Sequence, residues 1–483
     1  MNKKRTIRLY AIIFLVTVFS YYGCSEKNAR QPKDHTPNII LMMADDMGWG
    51  DPAYNGNPVS KTPNLDKMAA EGIVFNRFYA SSPVCSPTRG SCITGRHPYR
   101  YGIFFANVGH MRKEEITLAE ALKTKGYVTG HFGKWHLGTL TKIEKDANRG
   151  GPEDTADYSP PWENGFDVCF STESKVPTWN PMITPPKTAG GVRNRIPGEP
   201  YGTAYWTGPG HKATENLEGD DSRIIMDRVI PFIKKAIKSH KPFLAVVWFH
   251  TPHLPVLTGD KYKNMYKGQS VDIQNFYGAI TAMDEQIGRL RNYLKEHGLY
   301  NNTVMFFTSD NGPEGKAREG RTQGSTKGLK GRKRSLYEGG IRVPGLMTWP
   351  ALIKSRKTTD IPFSTLDYYP TVLDILGFTM PDQPEPIDGI SMLPFIKGNM
   401  KERQVPIGFE SKKQVAFMNN RYKIYSPDQG QHFELYDIIN DPQETTDIST
   451  EHPDIVKELS AELSRWRESC KRSLEYSDYK QDF

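Results

Sequence analysis

A chain of 483 residues with 37% hydrophobic and 24% charged side chains is long enough for a large domain and a smaller one, and its composition is that of a globular protein. The formal net charge is +8, but four of those charges (Lys3, Lys4, Arg5 and Arg8) lie in the leader, which leaves +4. With no Lys/Arg stripe carrying interleaved aromatics, nucleic acid is not an expected partner; the mild surplus suits an anionic substrate instead. Five cysteines, unevenly spaced, do not make a disulfide framework.

The chain opens on "MNKKRTIRLY", a positive segment, followed by "AIIFLVTVFSYYG", an apolar run too short for a stable membrane span. It ends in Gly23-Cys24-Ser25, which is similar to a bacterial lipoprotein cleavage box with Cys24 as the lipidated residue, although Tyr21 stands where Leu is usual. The alternative is a cleaved secretory signal with no lipid. Residues 1–24 are thus expected to be the export signal and residues 25–36 a polar tether. The expected location is the periplasm or, as an attached lipoprotein, the outer membrane of a Gram-negative bacterium. Contact with the membrane would run through the N-terminal lipid alone.

From residue 37 to about 400, short apolar runs alternate with helical patterns, which predicts an α/β domain built on a large, mostly parallel sheet. "NIILMMA" (38–44) runs into Asp45 and Asp46, and "YVTGHF" (127–132) into Gly133, Lys134, Trp135 and His136. Further on, "FLAVVWF" (243–249) runs into His250, Thr251, Pro252 and His253, and "VMFFTS" (304–309) into Asp310, Asn311 and Gly312. Continuous apolar runs of strand length are those of strands buried on both faces. All four discharge into polar clusters at their carboxyl ends, the edge of a parallel sheet where ligands bind. Helices are predicted over 64–72, 117–126, 227–239, 275–298 and 364–377. Residues 139–222, rich in Pro and Gly and carrying Trp162, Trp179 and Trp206, break the pattern. They read either as a surface loop packed by its own aromatics or as a rim whose rings stack on sugars. Residues 401–483 read as a smaller α+β domain of antiparallel strands and one amphipathic helix.

Asp45, Asp46, Asp310 and Asn311 offer four oxygen donors from two strand ends, a set that selects Ca²⁺, or Mg²⁺ as the alternative, over zinc. In "CSPTRGSCITGR", Cys85 to Arg96, Ser86 reads as an N-cap and Pro87 as the first helical residue, so Cys85 stands at a helix N-terminus where backbone N–H groups favour an anion. A Cys85–Cys92 disulfide would span roughly 10 Å of helix, beyond bridging distance. A low-pKa thiolate beside Arg89 remains a competitor on chemistry alone. Cys92 reads as a small buried residue, and Cys169 with Cys470 is left open as a bridge. His131 reads as structural; Gly48 and Trp49 read as turn and packing residues.

The Cys85-to-Arg96 stretch resembles the signature of the type I, formylglycine-dependent sulfatases, of the arylsulfatase-like branch of the alkaline phosphatase superfamily: Cys or Ser, then x-Pro-x-Arg, closing on Thr-Gly. The resemblance runs over about residues 36–440. It implies an alkaline-phosphatase-like catalytic domain, a Cys85 oxidised to formylglycine by a maturation enzyme, and metal ligation by Asp45, Asp46, Asp310, Asn311 and the modified residue 85. "GKWHLG" matches a family element through Lys134 and His136, "TPHLP" through His253, and "KGRKRSLYEGGIRVP" through Lys333, with Lys330 as the fallback. Carried over, Arg89, Lys134 and Lys333 neutralise sulfate oxygens, Asp310 accepts the nucleophile's proton, His253 with Lys333 protonates the leaving oxygen, and His136 takes the proton that frees sulfate. Lys134, His253 and Lys333 also contact substrate; His250 is open between substrate contact and a supporting position. The function implied is hydrolysis of the sulfate ester of a sulfated saccharide. Two alternatives stay open: a phosphonate or phosphodiester hydrolase of the same superfamily, and a surface lipoprotein that binds glycans without turnover.

Overall fold

Strands that are apolar at every position must be covered on both faces, and the computed structural model shows how. It describes residues 36–192, 194–315 and 323–479; the export signal, Cys24 and nearly all of the tether lie outside the described residues. Residues 38–44, 128–134, 243–248 and 303–309 form adjacent, mutually parallel strands at the centre of a ten-stranded sheet. The full order is 357–359, 73–75, 345–348, 303–309, 38–44, 243–248, 128–134, 168–172, 206–208 and 211–212, with antiparallel pairings toward the two edges. The central strand Asn38–Ala44 is buried throughout. Its side chains alternate between two cores: Ile39, Leu41 and Met43 on one face, Ile40, Met42 and Ala44 on the other.

Helices Asp221–Lys238 and Val271–Glu296 pack on the second of these faces, contributing Ile225, Val229, Ile280 and Ile287. Helix Cys85–Thr94 and the residues of Tyr368–Ile375 cover the first. The fold class expected from the sequence is the one found. Boundaries differ in informative ways. Helix 221–238 begins six residues earlier than expected, capped by Asp220, whose carboxylate accepts from Arg223 N. Helix 85–94 begins at Cys85 itself, with Val84 at the cap position; Ser86 is therefore inside the first turn rather than the N-cap.

The 139–222 stretch is a correction. It holds the strand Val168–Thr172, paired in parallel with 130–134, plus the antiparallel edge at 206–208 and 211–212. Its tryptophans are not a sugar-stacking rim. Trp206 is buried and donates its indole N–H to Asp146, Trp162 packs on the core and bonds Tyr158, and Trp179 lies against Gly259.

The C-terminal part is a four-stranded antiparallel sheet, 407–411, 414–418, 422–426 and 434–437, backed by helix Pro453–Leu474 through Leu459 and Leu463. Ile407, Phe409 and Met418 on its other face join Leu336 and Ile341 in one small core, so the sheet carries the segment that follows Lys333. A buried ion cluster fixes the same segment: Lys423 lies 3.0 Å from Glu338 and 2.9 Å from Glu444. No helix among the described residues is long and apolar enough to cross a membrane. Cys85, Cys92, Cys169 and Cys470 are all unpaired thiols, so the Cys169–Cys470 bridge left open above is not formed.

Candidate active site

Parallel strands in register end at one level, so the residues that follow them meet. Ladder bonds continue past the strand ends: Asp45 N donates to Thr251 O (2.9 Å), Asp310 N to Ala44 O (3.1 Å) and His136 N to Glu173 O (3.0 Å). Two glycines permit the approach. Gly133 has φ +105°, and a β-carbon there would lie 1.9 Å from Trp248 O; one on Gly312 would lie 2.0 Å from Gly339 O. Asp46 and His136 are non-glycine residues with φ of 65° and 60°, a left-handed strain of the kind that collects at functional sites.

What assembles is a buried lattice of opposite charges. Lys134 Nζ lies 2.7 Å from Asp45 Oδ2, and Lys333 Nζ lies 2.6 and 2.8 Å from the two oxygens of Asp46. Arg89 Nη2 lies 2.6 Å from Asp310 Oδ2, and its guanidinium sits over the Trp248 ring. Asp310 Oδ1 accepts from Asp46 N at 3.0 Å, and Asn311 Nδ2 donates to Asp46 Oδ1 at 2.7 Å. Single ligand atoms of Asp45, Asp46, Cys85 and His253 lie within 4.8 Å of one another. Cys85, Lys134, His136, His253 and Lys333 all line one cavity of about 540 Å³.

The ionisation pattern follows from burial set against these neighbours. Burial, together with the Asp45 carboxylate, raises Asp310 to about 6. Burial would raise Asp46 too, but Lys333 and His253 hold it well below the carboxylate range. Lys333 is pushed well above its ordinary value because Asp46 outweighs desolvation. Burial, then Lys134 and Arg149, hold His136 well below the usual imidazole value. His253 is likewise lowered by burial and by Lys333 and Lys134, against the pull of Asp46. Burial also raises the Cys85 thiol above its ordinary value despite Lys134 and Lys333. That removes the low-pKa thiolate reading.

The residues fit a hard cation. Asp45 Oδ1 and Asn311 Oδ1 are buried acceptor oxygens with no hydrogen bond among the described residues, Asp310 and Asn311 are each hydrogen-bonded to Asp46, and carboxylate and amide oxygens are what Ca²⁺ and Mg²⁺ take. A buried thiol held in its protonated form does not favour zinc.

The two histidines present different atoms. His253 Nδ1 donates to Leu254 O (2.6 Å), leaving Nε2 toward Asp46 at 3.5 Å. His136 Nε2 meets Asn107 Oδ1 at 2.7 Å, and its Nδ1 is buried without a partner among the described residues. Since an amide oxygen accepts only, Nε2 carries the proton and Nδ1 is the bare base. His250 is enclosed between Asp221 (2.8 Å) and Thr172 (2.8 Å) and does not line the cavity; it supports the wall rather than touching substrate. His131, with Nδ1 2.7 Å from Ser171 Oγ and its ring among Trp135, Phe166 and Trp248, is structural as expected. Lys333 points into the cavity, whereas Lys330 bonds Tyr436 OH and stacks on Tyr337.

Sequence reasoning missed Asn107, Asn148, Ser174, Lys175, Arg195 and Glu314, which also line the cavity. They come from irregular connections with no periodicity to mark them. Glu314 alone carried a signal, standing two residues beyond Gly312 in a strand-end cluster.

The sulfatase family model matches residues 37–378, and the model of the N-sulphoglucosamine sulphohydrolase C-terminal region matches 331–469. The N-acetylgalactosamine-6-sulfatase of Sus scrofa is 32% identical over 411 residues, covering 81% of this chain and 71% of its own. Arylsulfatase D of Homo sapiens is 30% identical over 441 residues, covering 78% and 70%. A crystal structure of Ps i-CgsB in complex with k-i-k-neocarrahexaose superposes with a TM-score of 0.75 at 28% identity, covering 93% of this chain and 96% of that one. The chain belongs to the sulfatase family and is a sulfuric ester hydrolase.

Proposed function

We propose that the protein hydrolyses the sulfate ester of a sulfated carbohydrate, using a formylglycine made from Cys85 and a divalent cation, Ca²⁺ before Mg²⁺, held by Asp45, Asp46, Asp310, Asn311 and residue 85. One juxtaposition carries the reading: the thiol of a Cys-x-Pro-x-Arg motif opens onto a cavity whose floor shows Lys134 and Lys333, with Arg89 and the carboxylates of Asp45, Asp46 and Asp310 buried and paired with these cations beneath it. The carbohydrate is supported by the relatives, one an N-acetylgalactosamine-6-sulfatase and another crystallised with k-i-k-neocarrahexaose.

Formylglycine would supply a hydrated aldehyde, which unlike a thiol can release sulfate by re-forming its carbonyl. The cation would supply charge neutralisation at the sulfate oxygens. Around them the chain's own groups hold substrate and move protons. Arg89, Lys134 and Lys333 face the oxygens on which negative charge concentrates, where preorganised donors in a dry site are most effective. Asp310, a buried carboxylate paired with Arg89 at 2.6 Å, accepts a proton from position 85. Lys333, the charged member of its pair with neutral His253, supplies the proton that reaches the leaving oxygen beside His253 Nε2. His136 then withdraws a proton at position 85 through Nδ1, and sulfate departs.

The sequence alone supports export as a lipoprotein lipidated at Cys24, in the periplasm or on the outer membrane of a Gram-negative bacterium, where a polysaccharide would be met. The deciding experiment takes protein from a host that makes the maturation enzyme. The peptide bearing Cys85 is weighed for the loss of sulfur and two hydrogens with gain of one oxygen that turns the thiol into an aldehyde, and the whole protein is assayed against defined sulfated saccharides and an aryl sulfate. An unmodified thiol in a protein that still turns over sulfate esters would overturn the nucleophile assignment. Preference for an aryl phosphonate would favour the phosphoryl alternative.

A further inference from the structure

Beyond the catalytic lattice the cavity wall carries two more cations, Lys175 and Arg195. They differ from the floor in having no counter-ion among the described residues. Arg89, Lys134 and Lys333 each meet a carboxylate, and Arg334 is tied to Glu314. Lys175 has no ion pair among the described residues, and Asp46, the carboxylate that reaches it, is already gripped by Lys333 through both oxygens. Arg195 lies over the Tyr201 ring, 4.0 Å from its centroid, and has no carboxylate partner among the described residues. Its contact is thus with a phenol, which orients the guanidinium and leaves its charge unmatched.

The charge balance makes the surplus informative. On the floor three carboxylates offset three cations, so a divalent cation plus one sulfate monoester leaves that part of the site with a positive surplus before the wall is counted. Two further positive groups facing the same 540 Å³ space have nothing to neutralise in a substrate with a single sulfate. Half-buried charges without a partner are costly. Consistent with an environment lacking an anion, burial and the neighbouring Lys333, Lys134 and Arg195 push Lys175 down to about 8.

Resting on the sulfatase reading above, we propose that Lys175 and Arg195 form a second anion subsite, and that the saccharide cleaved carries a second anionic group, a carboxylate or another sulfate, close to the scissile ester. Asn148 and Asn194, also on the wall, offer amide groups to neutral hydroxyls of the sugar. The floor chooses the bond; the wall chooses the sugar by its second charge.

The test compares three saccharides sharing one scissile ester: a monosulfated sugar, the same sugar with a second sulfate, and a disaccharide joining it to a uronate. The formylglycine-bearing full chain is expected to favour one dianionic substrate by about 10- to 100-fold in kcat/KM, and which of the two wins identifies the anion. Lys175→Met and Arg195→Met should each shrink that ratio toward 1, and Lys175→Glu should invert it. Binding of the same sugars to Cys85→Ala, followed by calorimetry, gives the preference without turnover. Equal affinities for mono- and dianionic sugars, with ratios unmoved by the three variants, would overturn the subsite while leaving a working sulfatase. No turnover of any sulfate ester by modified protein would overturn the parent reading instead.

Discussion

On the cavity floor Lys134, Lys333 and Arg89 reach Asp45, Asp46 and Asp310 at 2.7, 2.6 and 2.6 Å; on the wall Lys175 and Arg195 reach no carboxylate among the described residues. The two regions are built differently. The floor hangs from the ends of strands buried on both faces and tied together beyond their last ladder bonds, so its groups have little freedom. The wall is made by stretches of connecting chain, 103–108, 174–176, 191–192 and 194–195, with scarcely any regular structure. A rigid floor preserves the in-line geometry of chemistry, and an irregular wall is free to differ in charge without disturbing it. Perturbing the floor should therefore collapse turnover for every sulfate ester, and perturbing the wall should redistribute it among substrates.

The largest effect is expected at position 85. Cys85→Ala removes the atom from which the nucleophile is made, and turnover of all sulfate esters should fall by on the order of 10⁴-fold or more, with the thermal unfolding midpoint nearly unchanged because the lost thiol makes no hydrogen bond that holds the fold. Residual activity within tenfold of wild type would break the assignment of the floor as the reacting centre.

Metal removal should come next. Chelation is expected to abolish turnover, restored by Ca²⁺ or Mg²⁺, and the pH dependence of stability provides a separate reading. Asp310 is raised to about 6 in the folded protein, against about 4 for an unperturbed aspartate. The metal-free native state therefore keeps a proton that the unfolded chain has released, and stability falls as pH rises from about 4 to about 6, by at most about 3 kcal/mol. A cation takes over the neutralising role of that proton, so its addition should raise the unfolding midpoint more at pH 7 than at pH 5. A midpoint insensitive to Ca²⁺ and Mg²⁺ at both values would count against the metal site.

Lys333 sharpens the same contrast. Lys333→Met leaves Asp46 buried without its two charge-assisted bonds, and kcat/KM should fall by roughly 10²- to 10³-fold. Lys330→Met, three residues earlier but aimed at Tyr436 and Tyr337, should stay within a few-fold. Equal losses in the two variants would mean that the lysines act through the loop's fold rather than through charge in the cavity.

How far these regions could be read from the sequence follows the same division. Unbroken apolar runs betray doubly covered strands, and the polar clusters after them betray one ligand edge, so Asp45, Asp46, Lys134, His136, His253, Asp310 and Asn311 were legible as a group. The Cys-x-Pro-x-Arg motif added residue 85 and Arg89. Strand 168–172 went unread because "VCFST" is short, half polar and set in a Pro- and Gly-rich stretch, where pairing with 130–134 decides its state rather than propensity. The tryptophans left two readings open, because aromatic richness in a loop signals stacking on sugar no better than it signals packing, and the structure shows packing. Lys175 and Arg195 carry no pattern at all, since only the folded chain shows that they meet no carboxylate among the described residues.

The smallest effect tests how the floor is oriented from outside the strands. Asn107 has φ 62° and holds the Nε2–H of His136 at 2.7 Å, which fixes the tautomer with Nδ1 bare. Asn107→Ala frees the ring to populate the other tautomer and to rotate, so kcat should drop about tenfold with KM little changed, the usual scale for a group that orients a reacting one. Asn107→Asp places a carboxylate on the same nitrogen and should raise the His136 pKa. Because His136 must be neutral to take a proton, the acid limb of the kcat profile should then move to higher pH, a shift that a purely structural role for Asn107 would not produce. A profile identical to wild type in the aspartate variant, alongside an unchanged kcat in the alanine variant, would assign the orientation of His136 to the strand end alone and return Asn107 to the wall.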